Sequence, residues 1–143
     1  MSKMIVAYWS QTGNTAAMAE AIGRGITEGG KEAVVAEISS VSMDELKEAD
    51  VFALGCPAMG AEVLEEAEME PFVMEVETFA AGKKIALFGS YGWGDGEWMR
   101  DWEARMTAAG ASIIGREGLI CQEMPDEDGI AACLALGKEI AAL

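Results

Sequence analysis

The chain has 143 residues, 51% of them hydrophobic, with ten basic against twenty-five acidic side chains and a formal charge of −15. That length suits one domain, residues 1–143, with a core that needs no disulfide or metal, and that charge repels nucleic acid and anionic membrane surfaces alike. There is no histidine, which removes Ser-His-Asp and Cys-His catalysis and histidine metal sites.

Met1-Ser2-Lys3 leads into the first strand without the layout of a signal peptide. No apolar run approaches the length that crosses a bilayer, so the expectation is a cytoplasmic chain. Lys3–Tyr8 is an apolar run of strand length. Met18, Ile22 and Ile26 then recur every four residues, the spacing of one helix face, and Gly29-Gly30 closes that helix. Between strand and helix lies Ser10-Gln11-Thr12-Gly13-Asn14-Thr15, which offers only hydroxyls, amides and a glycine. A strand emptying through such a loop into a helix aims backbone N–H groups and the positive helix end at one spot, which suits a phosphate. The same residue types also make an ordinary helix cap; the loop alone does not decide between the two.

Glu32 to Ile38 reads as a second strand, and Met43, Leu46 and Lys47 mark a short helix. Val51-Phe52-Ala53-Leu54-Gly55 is a third apolar run, followed by the loop Pro57–Glu62 and an acidic segment through Glu70. Pro71 suits the first turn of a helix striped by Phe72, Val76 and Phe79 and ended by Gly82. Lys84–Gly89 is the fourth strand. It opens into Ser90-Tyr91-Gly92-Trp93-Gly94-Asp95-Gly96, too rich in glycine to be anything but loop. Trp98, Trp102, Met106 and Ala109 stripe the next helix. Ser112–Ile114 and Gly118–Ile120 form a last strand broken at Gly115-Arg116, and Asp126 or Asp128 caps a final helix. Cys56, Cys121 and Cys133 are odd in number with no C-x-x-C pair, and read as reduced, buried thiols.

Strand and helix alternate five times, and the strands are too continuously apolar to have a wet face. The pattern predicts an α/β fold of three layers, a doubly wound five-stranded parallel sheet of order 2-1-3-4-5. Ligands in such sheets bind beyond the carboxyl ends of the strands, at the switch point between the first and third. The loops there are Trp9–Asn14, Cys56–Glu62 and Gly89–Gly96. The first lacks the lysine of a nucleoside-triphosphate loop and the G-x-G-x-x-G of a dinucleotide fold, so a terminal monophosphate fits it best. Trp93, between Gly92 and Gly94, suits a stacked planar ligand, whereas Trp98 and Trp102 belong in the core by their helical spacing.

Three segments, Ser10–Thr15, Gly55-Cys56-Pro57-Ala58-Met59-Gly60 and Leu87–Gly94, together resemble the flavodoxins, above all the short-chain flavodoxins of anaerobic bacteria. Glu70-Pro71-Phe72 and Met124-Pro125-Asp126 extend the resemblance to the last helix. It implies one non-covalent FMN, its phosphate in Ser10–Thr15 and its ring between Met59 and Trp93. Pro57, Ala58, Gly60, Ala61, Ser90, Tyr91, Gly92 and Gly94 would complete the site. Glu62 would accept from the ring N3–H, the Met59-Gly60 peptide would turn over on reduction, and Gln122 and Glu123 would form part of the rim. Gln11 stands where a smaller residue is expected and Ala61 where a polar one is.

The implied function is low-potential, one-electron transport between protein partners, without a substrate of its own. The acidic segment Glu62–Glu70, with Asp95 and Glu97, would steer redox partners with basic docking surfaces to the flavin edge, and the protein would be a monomer. A second reading is an FMN-dependent quinone or flavin reductase on the same fold, against which Trp93 would cover the face a second substrate needs. A phosphorelay receiver is disfavoured, since Tyr8-Trp9-Ser10 and Leu54-Gly55-Cys56 lack the aspartates that fold uses.

Overall fold

The structure, a computed structural model, describes residues 3–143. Its elements are β1 (Lys3–Tyr8), α1 (Asn14–Glu28), β2 (Glu32–Glu37), α2 (Met43–Glu48), β3 (Val51–Gly55), α3 (Met69–Glu77), β4 (Lys84–Tyr91), α4 (Glu97–Ala108), β5 (Ser112–Ile113), β6 (Leu119–Gln122) and α5 (Glu127–Ala141). The strands pair in the order β2-β1-β3-β4-β5, with β6 also on β4. Every pairing between named strands is parallel. The predicted order 2-1-3-4-5 is the observed one.

The fifth strand position is filled by two pieces. Ile85 faces Ile113 and Phe88 faces Leu119, so three steps along β4 match six along the neighbouring segment. The surplus turns outward at Gly115 (φ 79°) and Arg116 (φ 75°), the break expected at that dipeptide. Several boundaries differ from the sequence reading: β4 continues through Ser90 and Tyr91, expected in the loop, α4 ends one residue before Ala109, β5 stops before Ile114, and β6 runs on to Gln122. Residues Ile38–Ser40 form a 3-10 turn after β2. Helix α3 stops at Glu77, leaving Phe79 in the turn before Gly82 rather than on the helical stripe.

Alternate residues of each central strand feed opposite cores, as a sheet covered on both faces requires. Ile5, Ala7, Phe52, Leu54, Ile85 and Leu87 pack under α2, α3 and α4 with Trp98 and Trp102. Met4, Val6, Ala53, Ala86 and Phe88 pack under α1 and α5. Both tryptophans are 1% exposed, and Cys56, Cys121 and Cys133 are buried. No helix among the described residues is long and apolar enough to cross a membrane. This scaffold brings the loops after β1, β3 and β4 to one rim.

Candidate functional site

A cleft of about 450 Å³ lies at that rim. Gln11, Thr12 and Asn14 line it from the first loop, Pro57–Met59 from the second and Ser90–Gly92 from the third, with Glu123 and Met124 closing one side. The sequence reading missed Met124 as a lining residue. Its signal was topological, since the turn after β6 lies at the same sheet end as the other three loops. Ser10, Gly13, Thr15, Gly60, Ala61, Glu62, Trp93 and Gly94 are outside the lining itself.

Gly13, at φ 94°, turns the chain into α1 through a conformation that costs other residues dearly. Within the loop the Ser10 hydroxyl accepts from Gly13 N at 3.2 Å and Ala16 N at 3.3 Å. It therefore braces the loop rather than pointing out of it. Thr15 is 1% exposed, its Oγ1 lying 2.9 Å from Ser90 Oγ and accepting from Ser90 N. Of the three hydroxyls in the loop, only that of Thr12 is without a partner among the described residues. The N–H groups of Gln11, Thr12, Asn14 and Thr15 likewise find no protein acceptor there. Four donors without a partner among the described residues, at the positive end of a fifteen-residue helix, suit an anion and are chiefly backbone.

The second loop is a five-residue turn. Met59 and Val63 exchange both backbone hydrogen bonds, at 2.8 and 3.0 Å. The carbonyl of the Met59-Gly60 peptide, the one expected to turn over, is held here by Val63 N. The next peptide, Gly60–Ala61, has no partner among the described residues, and Gly60 sits at φ 49° in open space. Glu62 follows at φ 56° with 8% exposure, its Oε1 accepting from Gly96 N at 3.2 Å and Glu97 N at 3.1 Å. The carboxylate expected to meet a ligand thus also caps α4. Cys56, just before this loop, is buried, and burial pushes its thiol up to about 12, away from the lowered values of activated thiols.

The third loop holds Trp93 out of the core, 64% exposed, as the flanking glycines suggested. Gln122 Nε2 donates to Gly92 O at 3.4 Å and Glu123 N to Tyr91 O at 2.7 Å, so both expected rim residues hold this loop. Trp98 Nε1 donates to Cys56 O at 3.2 Å, tying the second loop to α4.

Much of the acidic segment turns out to be structural. Burial pushes the Glu65 carboxyl up, but the N–H groups of Met69, Glu68 and Ala67 bond to it and bring it below the ordinary value. Arg105 pairs with both Glu77 and Glu70, Arg100 with Asp95, and Trp9 Nε1 with Glu68. Glu66, Glu97 and Glu123 remain exposed without a cationic partner among the described residues.

Residues 6–137 match the flavodoxin family model. The chain is 53% identical over 138 residues to a flavodoxin of Clostridium beijerinckii, covering 96% of this chain and 99% of that one. The chain belongs to the flavodoxin family. It is also 43% identical over 136 residues to the flavodoxin of Megasphaera elsdenii, covering 95% and 96% of the two chains. The solution structure of two-electron reduced Megasphaera elsdenii flavodoxin superposes with a TM-score of 0.87 at 40% identity, over 98% of this chain and 99% of that one. Flavodoxins bind FMN and carry electrons rather than turning over a substrate, and this chain is such a carrier. Its site fits the cofactor's phosphate: the N–H groups at the start of α1 that have no partner among the described residues are donors of the kind an anion takes.

Proposed function

We propose that this flavodoxin holds FMN across the three loops and exchanges single electrons with protein partners at that rim. The observation that carries the proposal is the set of unpaired N–H groups at the start of α1, opening into a cleft shared by all three loops. Bound there, the flavin supplies a ring that takes up and gives away electrons one at a time.

The N–H groups of Gln11, Thr12, Asn14 and Thr15, with the Thr12 hydroxyl, would bind the phosphate. Each charge-assisted bond contributes about 1.5–3 kcal/mol. Ser10 and Gly13 set the loop that aims them. Pro57, Ala58, Ser90, Tyr91 and Gly92 would line the cofactor, and Met59 and Trp93 would bear on the two faces of the ring. Glu62 has Oε2 left to accept from the ring N3–H while Oε1 caps α4. The unpaired Gly60–Ala61 peptide, rather than Met59-Gly60, is the one with freedom to turn and offer a carbonyl. Ala61 contributes its backbone alone.

Stepwise reduction of the purified protein under an absorption spectrometer tests this: yellow, then blue, then bleached is expected. A colourless protein that declines added FMN overturns it. We further propose a monomeric, single-domain, cytoplasmic carrier whose partners present basic surfaces. Exposed Glu66, Glu97 and Glu123 support that reading, and electron-transfer rates should then fall as salt is added. Rates indifferent to ionic strength would assign the acidic segment to structure alone.

A further inference from the structure

Helix α4 starts without a cap of its own. Its N-cap residue is Gly96, at φ 96°, with no side chain to offer the first turn, whose leading N–H groups have no partner within the helix. The acceptor comes from another loop. Glu62 Oε1 takes both Gly96 N and Glu97 N, thirty-four and thirty-five residues further along the chain. A carboxylate at a helix N-terminus is also favoured by the helix dipole. The neighbourhood is shaped around it. Glu62 itself adopts φ 56°, a conformation uncommon outside glycine. A Cβ on Gly94 would stand 2.5 Å from its Cδ and 2.6 and 2.8 Å from its two oxygens.

Between Gly92 and Gly94 lies Trp93, 64% exposed and without a hydrogen bond among the described residues. No core packing fixes its indole, so its direction depends on how the backbone on either side is held. Before it, Gln122 and Glu123 hold Gly92 and Tyr91. After it, the anchors are Glu62, the Arg100–Asp95 ion pair, whose side chains are 58% and 80% exposed and therefore weakly coupled, and a bond from Arg100 Nη1 to Asp95 O at 3.0 Å. We propose that Glu62 is a positioning residue for Trp93: by capping α4 from the opposite loop it fixes where the indole meets the flavin. This rests on the reading of Trp93 as a ring contact, and it adds a second role to any direct hydrogen bond from Glu62 to the cofactor.

The two roles separate in a double-mutant cycle. A direct bond to the ring is independent of Trp93, whereas a positioning effect vanishes with it. FMN affinity is measured by quenching of flavin fluorescence in the wild type, Glu62→Ala, Trp93→Ala and the double variant. Glu62→Ala should weaken binding about tenfold with Trp93 present and only about twofold in the Trp93→Ala background. Glu62→Gln, which keeps a carbonyl oxygen, should restore most of the Trp93-dependent part. In the unliganded protein, Glu62→Ala should also speed amide hydrogen exchange at Gly96 and Glu97 while leaving β1 unchanged, and Glu62→Gln should not.

Should Glu62→Ala fail to fold, Glu62→Asn, one methylene shorter and tolerant of the positive φ of this position, takes its place in the cycle, with the same Trp93-dependent loss expected. Additive effects in the cycle overturn the proposal, as does unchanged exchange at Gly96 and Glu97. A wild type that binds no FMN would instead sink the proposed function, so the two failures are distinguishable.

Discussion

The two ends of the sheet treat their backbone differently. At the amino end of the strands the polar groups are closed off. The buried Lys83 ammonium donates to Lys47 O at 2.7 Å and Ala49 O at 2.6 Å, Lys84 N meets Asp50 O, Gly82 N meets Gly110 O, and Ser112 N meets Lys83 O. A hollow of about 700 Å³ is found there, larger than the cleft at the other rim, and among its lining residues Ala49 O, Asp50 O, Gly82 N and Lys84 N are paired. At the carboxyl end, four N–H groups at the start of α1 and the Gly60–Ala61 peptide have no partner among the described residues, while Glu62 and Glu123 adopt positive φ. Buried backbone polar groups are almost always paired in a folded protein. Asn14 and Thr15 are at least partly buried, so their open N–H groups favour this rim as the one we propose a ligand completes, and volume is the poorer guide.

The largest expected effect at the open rim is discrimination by the phosphate. If three of the unpaired donors bind it at about 1.5 kcal/mol each, FMN should bind more tightly than riboflavin by at least about a thousandfold. Fluorescence titration of the unliganded protein with each flavin measures the ratio. Equal affinities would mean that the N–H groups at the start of α1 do not face the cofactor, and the contrast between the two rims would lose its meaning.

Two tryptophans five residues apart in sequence sharpen the same contrast. Trp98 is 1% exposed and donates to Cys56 O, so Trp98→Ala should destabilise the unliganded protein by about 3–5 kcal/mol in urea unfolding. Trp93→Ala should leave that stability within about 0.5 kcal/mol, yet weaken FMN binding by roughly 0.5–1.5 kcal/mol, the worth of an aromatic contact. A destabilised Trp93→Ala, or one with unaltered FMN affinity, would show that the exposed indole serves the fold instead.

What the sequence made legible was whatever depends on near neighbours. Apolar runs marked the strands, the four-residue spacing from Met18 to Ile26 marked α1, and hydroxyl and glycine content marked the loops. The order of the sheet followed from connection rules rather than from any one residue. The illegible part consists of pairings across long separations. Thr15 and Ser90 share a buried hydrogen bond at a separation of seventy-five residues, and Glu62 caps a helix thirty-five residues on. Nothing in the local composition of either loop announces such partners. The hydroxyls that composition offers to an anion are in part already engaged, and the carboxylates it presents as surface charge are in part caps and ion pairs.

The smallest predicted effect concerns the second loop, where one peptide is held and the next is not. Met59 and Val63 lock each other, while Gly60, at φ 49°, precedes a peptide with no partner among the described residues. Valine is a poor occupant of that backbone region because of its branched Cβ, so Gly60→Val should hinder the turn of Gly60–Ala61. A hydrogen bond offered only after the first electron arrives raises the first potential. Losing one of about 1 kcal/mol lowers that potential by about 40 mV and narrows its gap from the second by the same amount, at about 59 mV per tenfold change for one electron. Potentiometry on the variant reads the gap directly. An unchanged gap would mean that the free peptide does not turn, and that the open bonding of this loop, unlike that of α1, has no part in holding the electron.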